Sequence, residues 1–295
     1  MPDIELRFNL DMLVISAPID AALEGQGFDP ARDLPYLNLM EPDSLVDALR
    51  MEKAAGANCL VTPTANVTTA RLAHVRMEKD APAIARAAYD VVADLKPQHL
   101  LVEIGPCGLP LDATSKSSLN ENRAQYAAAA RLFADLQIDA FFLNGFTSTA
   151  DLKCALMGVG QVSGRPVIAS VNVGEGALLP GGRESWAEVL AMMADFGVAV
   201  AGFATELGPD EAVQLAKQAH DQVEVPLLAQ LSVRERAPRQ GGPTPENPYY
   251  CADAMVQAAA KLYAAGVQFL RAAGKATPAY TGALAATVSG LDVRL

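Results

Sequence analysis

Eight short apolar runs, separated by helical patterns, constrain the fold more than any other feature of this chain. They are MLVIS at 12–16, CLVTP at 59–63, LLVEI at 100–104, AFFLN at 140–144, VIASV at 167–171, VAGFA at 200–204, LLAQL at 227–231 and FLRAA at 269–273. Each run is continuous rather than alternating, as in strands buried on both faces of a parallel sheet. Helical stretches lie between them, such as SLVDALRMEKAAG, PAIARAAYDVVADL, NENRAQYAAAARLFADL and SWAEVLAMMADFG. Several open on Pro, Ser or Asn and several close on Gly, as helix ends do. Strand then helix, repeated eight times, predicts an α/β fold: a parallel (β/α)8 TIM barrel forming a single domain over residues 1–295. A doubly wound open sheet is the competitor. It would carry a Gly-rich nucleotide loop after its first strand, and SAPIDAALEGQG is not one.

Composition agrees and narrows the function. With 51% hydrophobic and 19% charged residues, the chain can bury a large core and is not disordered. A net charge of −11 repels phosphate backbones, so no nucleic-acid partner is expected. No apolar run is long enough to span a membrane, and the acidic start MPDIELRFNLDM is unlike a signal peptide. The expected location is cytoplasmic. The dispersed Cys59, Cys107, Cys154 and Cys251 form no CxxC pair, so a disulfide framework is not expected.

In a barrel, function sits at the C-terminal strand ends and in the loops after them. Those ends offer Ser16 and Asp20; Thr62, Thr64 and Asn66; Glu103 and Cys107; and Asn144. The later strands add Ser170 and Asn172; Thr205 and Glu206; Gln230 and Ser232; and Arg271 and Lys275. The set is mostly neutral and hydrogen-bonding, suited to orienting a small polar ligand, and lacks a nucleophile–base pair. Arg271 and Lys275 suit a carboxylate such as that of an amino acid. Glu103, inside an apolar strand, is either an acid–base group, a holder of an amine, or half of a structural ion pair. Cys107 in GPCG is either a reactive thiolate or an inert small side chain, since no positive neighbour is visible. The binding candidates are therefore Thr62, Thr64, Asn66, Asn144, Asn172, Thr205, Arg271 and Lys275, with Glu103 and Cys107 as catalytic candidates. The Pro-, Gly- and Arg-rich segment 232–248 is either a surface excursion or a lid.

Several segments resemble the homocysteine-binding methyltransferases, a family that includes the cobalamin-dependent methionine synthase barrel and the betaine– and S-methylmethionine–homocysteine enzymes. The likeness runs through LNLMEPDSLVDALRMEKAAGANCLVTPTANVTTARL, VEIGPCGLPL, IDAFFLNGFTSTADLKCAL, PVIASVNV and AAGVQFLRAAGKATPAYTGAL, roughly residues 36 to 285. It implies the barrel, an amino-acid-like ligand, methyl transfer to homocysteine and a place in methionine biosynthesis.

The departures are chemical. The family's zinc cysteines end the sixth strand, where Thr205 stands here, and the eighth, which reads Arg271-Ala272-Ala273-Gly274-Lys275. The family's Glu-Thr at the fourth strand is Asn144-Gly145, and its first-strand motif is Ser16-Ala17-Pro18-Ile19-Asp20. A hydroxyl and methyl groups cannot replace thiolates in a tetrahedral zinc site. The reading is thus a homocysteine S-methyltransferase-like protein with no zinc, its methyl donor a corrinoid (and then a corrinoid protein as partner), a folate or a sulfonium. The alternatives are a non-catalytic ligand-binding or regulatory barrel, a corrinoid-linked methyltransferase with another acceptor, or a barrel repurposed around Glu103.

Overall fold

The computed structural model describes residues 3–237 and 239–294. Eight parallel strands close into one barrel in sequence order. They are β1 (Leu13–Ile15), β2 (Cys59–Val61), β3 (His99–Ile104), β4 (Ala140–Phe146), β5 (Val167–Asn172), β6 (Val200–Thr205), β7 (Leu227–Val233) and β8 (Phe269–Gly274). The register closes the cylinder through Ile15 opposite Cys59 on one side of β1 and Val14 opposite Leu270 on the other. All eight sequence runs fall on these strands.

Side chains alternate across each strand. One set, including Leu13, Ile15, Val61, Leu101, Phe142, Ile168, Leu228 and Phe269, packs together inside the barrel. The other set, including Val14, Leu100, Val102, Phe141, Ala169, Phe203 and Leu270, packs under the surrounding helices. A short 3-10 turn, Ile4–Arg7, closes the lower end with the fully buried Ile4.

Between β1 and β2 the sequence suggests one helix, and the structure has three: Asp20–Gly25, Pro30–Met40 and Pro42–Ala54. The glycines and prolines of LEGQGFDPARDLP mask the first two. Pro30 sits in the first turn, where its missing N–H costs nothing, while Pro35 lies inside the helix. Burial of Leu34 and Leu37 overrides that local penalty. After β7 the chain makes a long excursion before Ala252–Ala264. Arg236 stacks on the Tyr250 ring at 4.0 Å, and the Tyr250 hydroxyl donates to the Gln240 carbonyl at 2.8 Å. Tyr249 is fully buried ahead of that helix. No described helix is long and apolar enough to cross a membrane.

Candidate functional site

The inward face of the barrel changes character one layer above Phe142. Continuing the inward alternation upward gives Glu103 on β3, Asn144 on β4, Ser170 on β5, Gln230 on β7 and Arg271 on β8. These five form one hydrogen-bonded chain. The Asn144 amide donates to Glu103 Oε1 at 2.6 Å, and the Gln230 amide donates to Asn144 Oδ1 at 2.8 Å and Ser170 Oγ at 2.7 Å. Arg271 Nη1 donates to Gln230 Oε1 at 3.1 Å, Nε donates to the Ser16 carbonyl at 2.9 Å, and Nη1 lies 3.8 Å from Glu103 Oε1. The guanidinium also sits 5.1 Å over the Phe142 ring.

A local irregularity aims the Asn144 amide. Gly145 has φ +80°, a conformation that side chains with a Cβ rarely adopt, and β4 gains one residue against β5 between Leu143 and Phe146. Below Glu103, the Thr64 hydroxyl donates to the Glu103 carbonyl at 2.7 Å and the Glu103 N–H donates to Thr62 Oγ1 at 3.2 Å. Thr62 and Thr64 therefore clamp the strand end that carries Glu103.

Above this layer is a chamber of about 170 Å³, lined by Asp20, Thr62, Glu103, Asn144 and Arg271 with an apolar side of Ile19, Leu34, Leu49 and Val61. It adjoins an outer cleft of about 710 Å³ that shares Asp20, Leu34 and Ala65 with it. Acidic groups dominate that cleft: Asp20, Glu24, Asp29, Glu206 and Glu235 against Arg234 and Lys275. Both cations are engaged there, Arg234 with Glu206 and Lys275 with Glu24.

Burial lowers the proton affinity of Arg271, opposed by Glu103, Asp20 and Glu52. Burial, then the charge of Glu103, pushes the Asp20 carboxyl up. Glu52 is also raised, chiefly by burial, and its Oε2 accepts from the Ala17 N–H at 2.9 Å and the Thr281 hydroxyl at 2.6 Å. It props the β1 end that meets Arg271. Sequence reasoning missed Glu52 because it lies on a helix. The signal was present: Leu45, Ala48, Leu49 and Glu52 share one buried stripe, where a carboxylate is out of place. A carboxyl raised in the folded state contributes most below its unfolded pKa, and that contribution is lost as pH rises through the folded value. Glu52→Gln is therefore expected to hold or gain stability at neutral pH. Glu52→Ala is expected to lose about 2–3 kcal/mol through two orphaned donors and a cavity, read by urea unfolding.

The structure brings together only some of the sequence candidates. Glu103, Asn144, Arg271 and Thr62 line the chamber, Thr64 stands behind it, and Asn66 lies on the cleft wall. Lys275 is at the exposed rim with its ammonium on Glu24. Asn172 and Thr205 line a neighbouring groove of about 560 Å³ at the ends of β5 to β7, which shares Glu206 and Arg234 with the outer cleft, and the Thr205 hydroxyl accepts from the Leu207 N–H. Part of segment 232–248 walls that groove, through Ser232, Arg234, Pro245 and Glu246.

Cys107 does not reach the chamber. It is fully buried, its thiol donates to Asn122 Oδ1 at 3.0 Å, and burial pushes the thiol up, away from thiolate chemistry. Cys107→Ala is expected to lose about 1–2 kcal/mol in thermal unfolding.

The residues do not fit the three-thiolate zinc site that the resemblance implies. The β8 end, from Arg271 to Lys275, contains no thiol. The cysteines lie at the start of β2, behind the β3 turn, on Thr149–Gly160 and before Ala252–Ala264. Among the described residues no cluster of three or more His, Cys, Asp or Glu is placed to hold a metal ion.

Comparison with known proteins agrees with the barrel. The chain is similar to the homocysteine methyltransferase MmuM from Escherichia coli in its metallated form, with 14% identity and a TM-score of 0.76 over 94% of this chain and 96% of that one. Its oxidized form gives 15% identity and 0.77 over the same shares. A more distant barrel is the carboxyl transferase domain of Rhizobium etli pyruvate carboxylase with pyruvate and biocytin, at 13% identity and 0.53 over 89% of this chain and 40% of that one. At these identities the likeness shows the fold alone. No curated protein sequence matches the chain. The family model for homocysteine S-methyltransferase matches residues 22–288. On that match, which spans most of the chain, the protein belongs to the homocysteine S-methyltransferase family.

Proposed function

We propose that this protein transfers a methyl group to homocysteine or a related small amino-acid-like nucleophile, without the three-cysteine zinc site. The observation that carries the reading is the chamber above Gln230, where a carboxylate and a guanidinium flank one small cavity inside a family barrel. An amino acid presents an ammonium and a carboxylate, which match Glu103 and Arg271 in sign. The carboxylate expected on β4 stands instead on β3: Glu103 is hydrogen-bonded to the Asn144 that replaces it. The apolar side formed by Ile19, Leu34, Leu49 and Val61 suits the ligand's methylenes.

The acidic cleft also favours one methyl donor over the others. A sulfonium is cationic and complements Asp20, Asp29 and Glu235, whereas a folate carries carboxylates that this rim repels. The chain's residues then have distinct tasks. Glu103 and Arg271 fix the acceptor, the apolar wall excludes water, and the cleft holds the donor in line with the chamber.

The loss of the family thiols favours a second reading, a barrel that binds the amino acid without turnover. The two separate in one experiment. Metal-stripped protein is incubated with homocysteine and S-methylmethionine, or with methylcobalamin, and methionine is measured by mass spectrometry beside calorimetric binding of homocysteine. Methionine formed from the sulfonium supports the proposal, and from methylcobalamin alone it transfers the donor role to a corrinoid. Binding without product establishes the second reading.

A further inference from the structure

We infer that Asp20 is the proton acceptor of the transfer step, receiving the proton of a thiol nucleophile held in the chamber as the methyl group arrives from the cleft. The inference rests on the methyl-transfer reading above. Its basis is position and the engagement of the neighbouring carboxylates.

Only two carboxylates line the chamber among the described residues, Asp20 and Glu103. Glu103 is already engaged, its Oε1 accepting from the Asn144 amide at 2.6 Å and lying 3.8 Å from Arg271. Glu52, just behind, is held by Ala17 and Thr281. Asp20 lines both the chamber and the cleft, so its carboxyl stands between the compartments that the methyl-transfer reading gives to acceptor and donor. Its carboxylate takes part in no side-chain hydrogen bond among the described residues, and the groups that bear on it act through charge alone. Those groups are Glu103 on β3, Arg271 on β8, Glu24 on its own helix and Lys275 beyond β8. Asp29, Glu206, Arg234 and Glu235 line the same cleft. Burial and the nearby Glu103 both favour the protonated acid, so accepting a proton here relieves an electrostatic penalty.

The step balances. A lone pair on the thiol sulfur forms the new S–CH3 bond. The bond from the sulfonium sulfur to that methyl breaks, and its electron pair stays on the departing neutral thioether. The S–H proton passes to the Asp20 carboxylate, so one cation and one carboxylate become neutral thioether and neutral acid. Water in the outer cleft then takes the proton from Asp20. No redox partner is needed.

The test is the pH profile of methyl transfer from S-methylmethionine to homocysteine by the native protein, Asp20→Asn and Asp20→Glu, with homocysteine binding measured by calorimetry on each. Asp20→Asn is expected to lose about 100-fold in kcat at pH 7 while binding homocysteine within a few-fold of native. Its deficit is expected to shrink as pH approaches the thiol pKa of about 8.5, where the nucleophile ionises unaided. Asp20→Glu is expected to recover part of the rate. Native turnover with Asp20→Asn equally active, or impaired alike at every pH, overturns the assignment of Asp20 and leaves methyl transfer standing. Absence of turnover in the native protein overturns both. An Asp20→Asn chain that fails to bind homocysteine makes Asp20 a binding residue and also overturns the assignment.

Discussion

Arg271→Ala is expected to cost about 3–5 kcal/mol of stability and to abolish homocysteine binding. The guanidinium is fully buried at the centre of the mouth and joins three parts of it: the Ser16 carbonyl just past β1, the Gln230 amide on β7 and the Glu103 carboxylate on β3. Its removal leaves Glu103 without its cation and leaves a void over Phe142. Arg271→Met separates the two losses, since methionine refills much of the volume but donates nothing. It is expected to recover most of the stability in urea unfolding and none of the ligand binding by calorimetry. Arg271→Met binding homocysteine as tightly as native would remove Arg271 from the ligand's carboxylate.

Glu103→Gln is expected to act on the ligand far more than on the fold. The hydrogen bond from Asn144 survives because the new amide oxygen can replace the carboxylate as acceptor, and the Thr62 and Thr64 clamps bind only the backbone. Stability is therefore expected within about 1–2 kcal/mol of native, the loss coming from the missing partner of Arg271. Homocysteine affinity is expected to fall on the order of 100-fold, because a neutral amide cannot match a carboxylate in holding an ammonium. The same substitution removes one of the charges that raise Asp20, so the acid limb of the pH profile is expected to move to lower pH. An acid limb moving to higher pH would contradict the placement of Glu103 and Asp20 in one chamber.

The barrel was legible because its signal is repeated. Each of the eight apolar runs is long enough to mark a strand, and any single misreading would have left seven others. Glu103, Asn144 and Arg271 stood out for a related reason: a polar residue inside an apolar strand has to be explained, by a pocket or, for Glu103, by an ion pair, and Glu103 both lines the chamber and lies 3.8 Å from Arg271. What the sequence concealed depended on which strand ends share a compartment. Thr205 and Asn172 stand at strand ends like Asn144, yet they open to the β5–β7 groove. Lys275 was grouped with Arg271 by proximity, but it lies past Gly274 and pairs with Glu24 from the β1 side. Cys107 sits just past a strand end too, yet its thiol points to Asn122 beneath the helices. Asp20 and Gln230 were visible as strand-end residues, but their importance comes from what they touch: the border of two cavities, and the link between Asn144 and Arg271.

The absence of thiols at the β6 and β8 ends bears most heavily on the proposed activity, because the resemblance implies a zinc site there to activate the nucleophile. The direct measurement is methyl transfer from S-methylmethionine to homocysteine by protein whose metal content is determined on the same sample. Methionine formation by zinc-free protein is predicted, with no rate increase when zinc is restored. Stoichiometric, tightly held zinc whose removal abolishes turnover would contradict a zinc-independent transfer.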